Sequence, residues 1–214
     1  THAVLDKVAK NRLSGRILNA LEHYSLAHSS TAARVQLVNL WSAIECLVGD
    51  DDAESVIGNV CRTVTPIVVF RRVDKLLTYL AMSLHQSRLA GAAQPLGPGF
   101  PASTDNYVSR EELIVTLCRP ENHPDILALL GFAGWHPLLV NRIYTLWQTF
   151  SAPGILSKAL RLSQERVDWH LHRIYRARNL IVHEGMDVPA VGFLLDNLHY
   201  YFSITLSRIL HGMV

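Results

Sequence analysis

Residues 173 to 185 read RIYRARNLIVHEG, and within them Arg178, Asn179 and His183 are the side chains best suited to chemistry. A guanidinium grips phosphate or carboxylate through a planar fork of N–H donors. An imidazole takes up and gives back protons near neutral pH. A fixed cation and a titratable ring are what a reaction at phosphorus asks of a protein, one to hold developing charge and one to move the proton. The same letters also suit a helix end, with Gly185 as the stop and His183 near the last carbonyls, where the helix dipole favours a protonated ring. The elements that carry these residues decide between the two.

Other chemistries are missing from the 214 residues. There is no glycine-rich phosphate loop followed by Lys and Ser or Thr, no GxGxxG and no GxSxG. Cys46, Cys61 and Cys118 are odd in number and lack metal-ligand spacing, so neither a disulfide framework nor a zinc site is supported. They lie in apolar helical patterns and read as small hydrophobes of a reducing, cytoplasmic protein. His170 and His172, two apart on a helix, do not face each other and read as two exposed histidines. Three aspartates in DDDAE, from Asp50 to Asp52, invite a cation, but without a second acidic cluster they read as the acidic start of a helix. Neither a metal nor any other cofactor is expected.

Apolar residues make up 49% of the chain and charged ones 18%, a balance that folds into a globular body, and the formal charge of +2 permits a nucleic-acid partner. No apolar run nears the roughly 18 residues needed to span a bilayer. The chain opens on Thr1, which reads as the C-terminal part of a longer protein. Spacings of three and four recur almost throughout, without strand alternation, so the expected class is all-α. Leu13, Ile17, Leu21 and Tyr24 stripe a first helix. Leu37, Leu40, Trp41, Ile44 and Val48 stripe a second, closed by Gly49. A helical stretch from Ser55 to about Arg88 is expected in two pieces, broken near Pro66. Residues 90–107 are rich in Gly and Pro and form the one clear loop. Short helices follow, with a capping box at Ser109 and Glu112 and first-turn prolines at Pro124 and Pro137. A long helix is expected over about 163–184, and a last one from about 188 to 211 carrying Phe193, Leu194, Leu198, Tyr201, Ile204 and Leu210.

The long helix has one misplaced residue. Val167, Leu171, Ile174 and Ile181 form its apolar stripe, and the slot between the last two belongs to Arg178. A cation in a core-facing slot is costly unless it is paired or opens on water. Glu45, beside Ile44 and one turn after Trp41, leans inward in a similar way, so an Arg178–Glu45 ion pair is the expectation. Asn179 stands four residues before His183 and shares its face. Arg178 and His183, five apart, differ by about 140° around the axis. One helix does not present both to one small substrate, and a cleft between two copies does so more easily.

On these residues the chain resembles the HEPN domains. RNLIVH matches their motif of an arginine, a polar residue and a histidine a few residues on, and LWSAIECLVG and VHEG are similar to the Apea-like bacterial branch. The likeness is clearest over 11–49 and 163–212, with 50–160 as a looser helical insertion of a single domain. The resemblance implies a HEPN-like helical bundle working as a homodimer, and a metal-independent ribonuclease of the kind found among toxins and antiviral effectors. It implies that Arg178 and His183 are catalytic, that Asn179 and Glu45 support them, and that RNA lies along Arg173 and Arg176. Tyr175, on the same helix, reads as core packing. A sensor or regulator would lie outside this chain. The other reading open to the same residues is a non-catalytic dimerisation or nucleotide- or RNA-binding module, with Arg178 a structural cation and His183 a helix cap.

Overall fold

The computed structural model describes residues 2–49, 55–89, 109–119, 123–133 and 136–212. Asp50, Asp51, Asp52 and the loop 90–107 lie outside the described residues. The described ones form α1 His2–Ser29, α2 Ala33–Val48, α3 Val56–Leu89, α4 Arg110–Cys118, α5 His123–Phe132, α6 Pro137–Phe150, α7 Pro153–Glu184 and α8 Val191–Gly212, with no strand among them. The fold is all-α. No helix among the described residues is long and apolar enough to cross a membrane. Two compact units divide the chain, one of Thr1–Val69 with Gln164–Val214 and one of Phe70–Ser163.

The first unit is built on α2, which packs against α1 and α8. Its three-four spacing puts Leu37, Leu40, Trp41 and Ile44 on one side, and each is fully buried. Removing such a side chain from water is worth about 1.5–3 kcal/mol. On α1 the buried line runs through Ile17, Ala20 and Ala27, with Tyr24 packed alongside, while Leu21 stays exposed. Alanine holds no bulk between two axes, so the line of closest approach follows the alanines and not the leucine. On α8 the core side carries Leu194, Leu195, Leu198, Tyr201 and Phe202. Phe193 is 60% exposed and Leu210 is exposed too, because both fall outside that sector. The first part of α3 adds Val60, Val64 and Val68 to the same core.

Two boundaries differ from those the sequence suggests. Pro66 lies inside α3, which runs unbroken from Val56 to Leu89. Burial of Val64, Val68 and Val69 on either side of it outweighs the missing N–H. One residue before it, the buried Thr65 hydroxyl donates to the Asp168 carboxylate of α7. α7 starts at Pro153, ten residues early, with proline at its first position, where the absent N–H costs nothing. The start of α2 has no side-chain cap, since Ser30 Oγ accepts from Ala32 N–H outside the helix.

In the second unit α4, α5 and α6 close over Leu113, Leu117, Ile126, Leu129 and Ile143, with Leu77, Leu80 and Leu84 in the same core. Ser109 and Glu112 cap α4 reciprocally, and Pro137 opens α6. None of the candidate site residues belongs to this unit.

Candidate functional site

All the candidate residues on α7 fall in its last three turns. Leu171, Ile174 and Ala177 are buried and hold the helix against the core, so the next position, Arg178, enters at the core's edge. Its side chain is partly buried, Nη1 donates to Asn179 Oδ1 at 3.0 Å, and Nε is buried without a hydrogen-bond partner among the described residues. The guanidinium therefore stands in the inward slot its spacing indicates, with donor capacity unspent.

Glu45 does not answer it. The carboxylate accepts a hydrogen bond from the indole Nε1 of Trp41, one turn earlier in α2, at 2.5 Å. Trp41 is completely buried, and a buried indole N–H needs an acceptor. That demand engages the carboxylate the sequence reading had assigned to Arg178, and the expected Arg178–Glu45 pair is not made. The Trp41 ring lies 5.5 Å from that of Tyr175, so α2 and α7 meet through aromatic packing. Arg34–Asp187, Arg71–Asp74 and Arg110–Asp74 form ion pairs, and none of these involves a candidate.

His183 is exposed in the last turn. Beyond it Gly185 takes a left-handed φ of 64°, and Met186 N–H donates to the Leu180 carbonyl, closing the helix. Arg173 and Arg176 are exposed on α7, while Asn179 is partly buried. The structure brings Arg178 and Asn179 together, while His183 projects about 140° around the axis from Arg178.

His170 corrects a second expectation. It is partly buried, with Nδ1 3.0 Å from the Tyr201 hydroxyl, while His172 is exposed. Burial, reinforced by nearby Arg173, holds the His170 pKa below its ordinary value. Burial likewise pushes Tyr201 up to about 12.

Glu45 instead lines a cleft of about 410 Å³ with His23, Ser42, Cys46, Gly49 and Asn59, from α1, α2 and α3. His23 Nδ1 is buried there without a hydrogen-bond partner among the described residues. Arg16 closes the end of α2 beside this cleft, donating to the carbonyls of Leu47 at 2.8 Å and Cys46 at 3.3 Å. The sequence gives little warning of this place, because its polar residues come one or two at a time from three helices. No group of three or more His, Cys, Asp or Glu is placed to hold a metal among the described residues. Comparison with models of protein families, with curated proteins and with solved structures returns no match for this chain.

Proposed function

We propose that the protein is a metal-independent endoribonuclease of the HEPN type, acting as a homodimer. The observation that carries the reading is Arg178: a partly buried guanidinium beside Asn179, with Nε unpartnered and no carboxylate against it among the described residues. A phosphate supplies both the charge and the acceptors that such a group lacks.

RNA brings its own nucleophile. As the 2′-oxygen attacks phosphorus, His183 accepts the hydroxyl proton. The bond from phosphorus to the 5′-oxygen breaks, and the imidazolium returns the proton to that leaving oxygen. Products are a 2′,3′-cyclic phosphate and a 5′-hydroxyl. Arg178 holds the equatorial oxygens while charge builds on them, and Asn179 positions the guanidinium it touches. Arg173 and Arg176 take flanking phosphates. Because Arg178 and His183 project about 140° apart, the cleft joins the arginine of one copy to the histidine of another. The same resemblance suggests a cytoplasmic toxin or antiviral effector governed by a sensor outside this chain.

The test is cleavage of total and transfer RNA in excess EDTA by wild type and His183→Ala. Cleavage by wild type alone, leaving cyclic-phosphate ends, is the expected result. Equal cutting by both proteins would remove His183 from the site and the proposal with it.

A further inference from the structure

The side of α7 turned away from the core has a composition of its own. At 100° per residue, Arg166, Trp169, Arg173, Arg176, Leu180 and His183 fall within one sector about 100° wide. Leu171 and Ile174 occupy the opposite side and are buried. Arg166, Arg173, Arg176 and His183 are exposed, and Trp169 is 80% exposed, the most exposed of the large hydrophobic side chains described. None of the three arginines has a carboxylate partner among the described residues, and acids meet the stripe only at its ends, at Glu165 and Glu184.

An open tryptophan between unpaired guanidinium groups meets both requirements of a single-stranded nucleic acid. Every base offers a π-face to stack on an aromatic ring, and the arginines neutralise the backbone on either side. A duplex keeps its bases stacked on one another and gives the indole nothing to take. A second copy of this face is a poor occupant, since a two-fold contact sets arginine against arginine. From Trp169 to His183 the helix rises about 21 Å, the length of about six nucleotides at the stacked spacing of roughly 3.4 Å. We propose that this face is a track for single-stranded RNA, with a base stacked on Trp169, phosphates on Arg166, Arg173 and Arg176, and the strand leading to His183. That the strand is RNA, and that it is led to a reacting centre, rests on the ribonuclease reading; the stacking and the phosphate contacts do not.

The experiment uses the full chain and a labelled twelve-nucleotide 2′-O-methyl RNA, whose attacking oxygen is blocked, single-stranded and annealed to its complement. Anisotropy gives affinity across a salt series, and tryptophan emission reports stacking. The single strand is expected to bind more tightly than the duplex and to quench emission. Trp169→Ala should weaken binding about tenfold, and Trp169→Phe should keep most of the affinity. Arg173→Ala and Arg176→Ala should each flatten the plot of log affinity against log salt by about 0.7. Unchanged affinity in Trp169→Ala, or preference for the duplex, overturns the track. So does a Trp169→Ala protein that loses its dimer by sedimentation yet binds the oligonucleotide as before, which makes the face a contact between copies. The two proposals fail separately. Trp169-dependent binding by a protein that cuts no natural RNA keeps the track and ends the nuclease, whereas cleavage with KM unchanged in Trp169→Ala does the reverse.

Discussion

Glu45 has two possible duties, and its substitution separates them by amounts that can be worked out in advance. In the structure its carboxylate serves the indole N–H of Trp41, which has no exposure to solvent. A hydrogen bond to a charged acceptor contributes about 1.5–3 kcal/mol, and removing the acceptor strands a buried donor at about 1–3 kcal/mol. Glu45→Ala should therefore cost about 2 kcal/mol. Glu45→Gln keeps an oxygen in place and should cost about 1 kcal/mol or less. For a chain of this size that is a fall in Tm of about 4–8 °C for the alanine variant and at most about half of it for the glutamine. If the carboxylate instead held Arg178, its loss would leave a buried cation alone, at about 3–5 kcal/mol. A double-mutant cycle with Arg178→Ala, read by urea unfolding under far-UV circular dichroism, distinguishes the two. Independent sites add to within about 0.5 kcal/mol. A coupling above about 1 kcal/mol, or a glutamine variant as unstable as the alanine one, would refute the assignment of Glu45 to Trp41.

Other consequences can be checked in the same apparatus. Gly49 ends α2 at φ 73° and ψ 176°, backbone open to glycine alone, and a Cβ there would lie 2.2 Å from the Arg16 guanidinium carbon. Gly49→Ala should cost about 2–3 kcal/mol through strain and the displaced arginine cap, seen as a lower unfolding midpoint. Burial first, then Arg173 at His170 and His28 at His199, holds both histidines below their ordinary value of 6.5, with Asp196 opposing at His199. The unfolded chain then binds more protons just below that pH, so stability should fall as pH drops through 6.5 and level off below the folded values; His170→Phe should flatten the profile measured by urea midpoints. Burial, then the Asp168 charge and its hydrogen bond, pushes the Cys61 thiol up to about 12, and burial also raises Cys46 and Cys118. A thiol-disulfide exchange reagent near neutral pH should react slowly with the folded protein and label all three only after urea is added.

What could be read in advance followed from periodicity. The inward line of α2 and the placing of Arg178 among Ile174, Ala177 and Ile181 are one-helix properties, fixed by 100° per residue, and both stand as the spacing indicates. Pairings between helices were less legible. Arg178 and Glu45 are opposite charges leaning inward, but whether they meet depends on what else each can reach, and the indole of Trp41 lies only one turn from Glu45 on its own helix. Pro66 misleads for a related reason. A local rule says break, whereas the valines around it are buried by other helices that the local window does not contain. Trp169 carries no signal of its own in the sequence, because tryptophan is on average a highly buried residue. Only its 80% exposure reveals the face it shares with the arginines.

The angle between Arg178 and His183 turns the dimer into a biochemical prediction. Arg178 is held at the core's edge by Ala177 and cannot turn to the outer face without leaving the slot that keeps its Nε buried, whereas His183 is exposed. If each reaction needs the arginine of one copy and the histidine of another, Arg178→Ala and His183→Ala are both silent alone. Mixed after unfolding and refolding together, about half of the dimers carry one of each variant, and these hold one intact arginine and one intact histidine in the shared cleft. Ribonuclease activity should reappear in the mixture, rise with the fraction of mixed dimers counted by native mass spectrometry, and disappear when either partner carries both substitutions. A mixture as silent as its components, with exchange of subunits verified, would mean that one chain must supply both groups. The 140° separation works against that on a rigid helix, so such a result would end the composite site along with the reason for expecting a dimer at all.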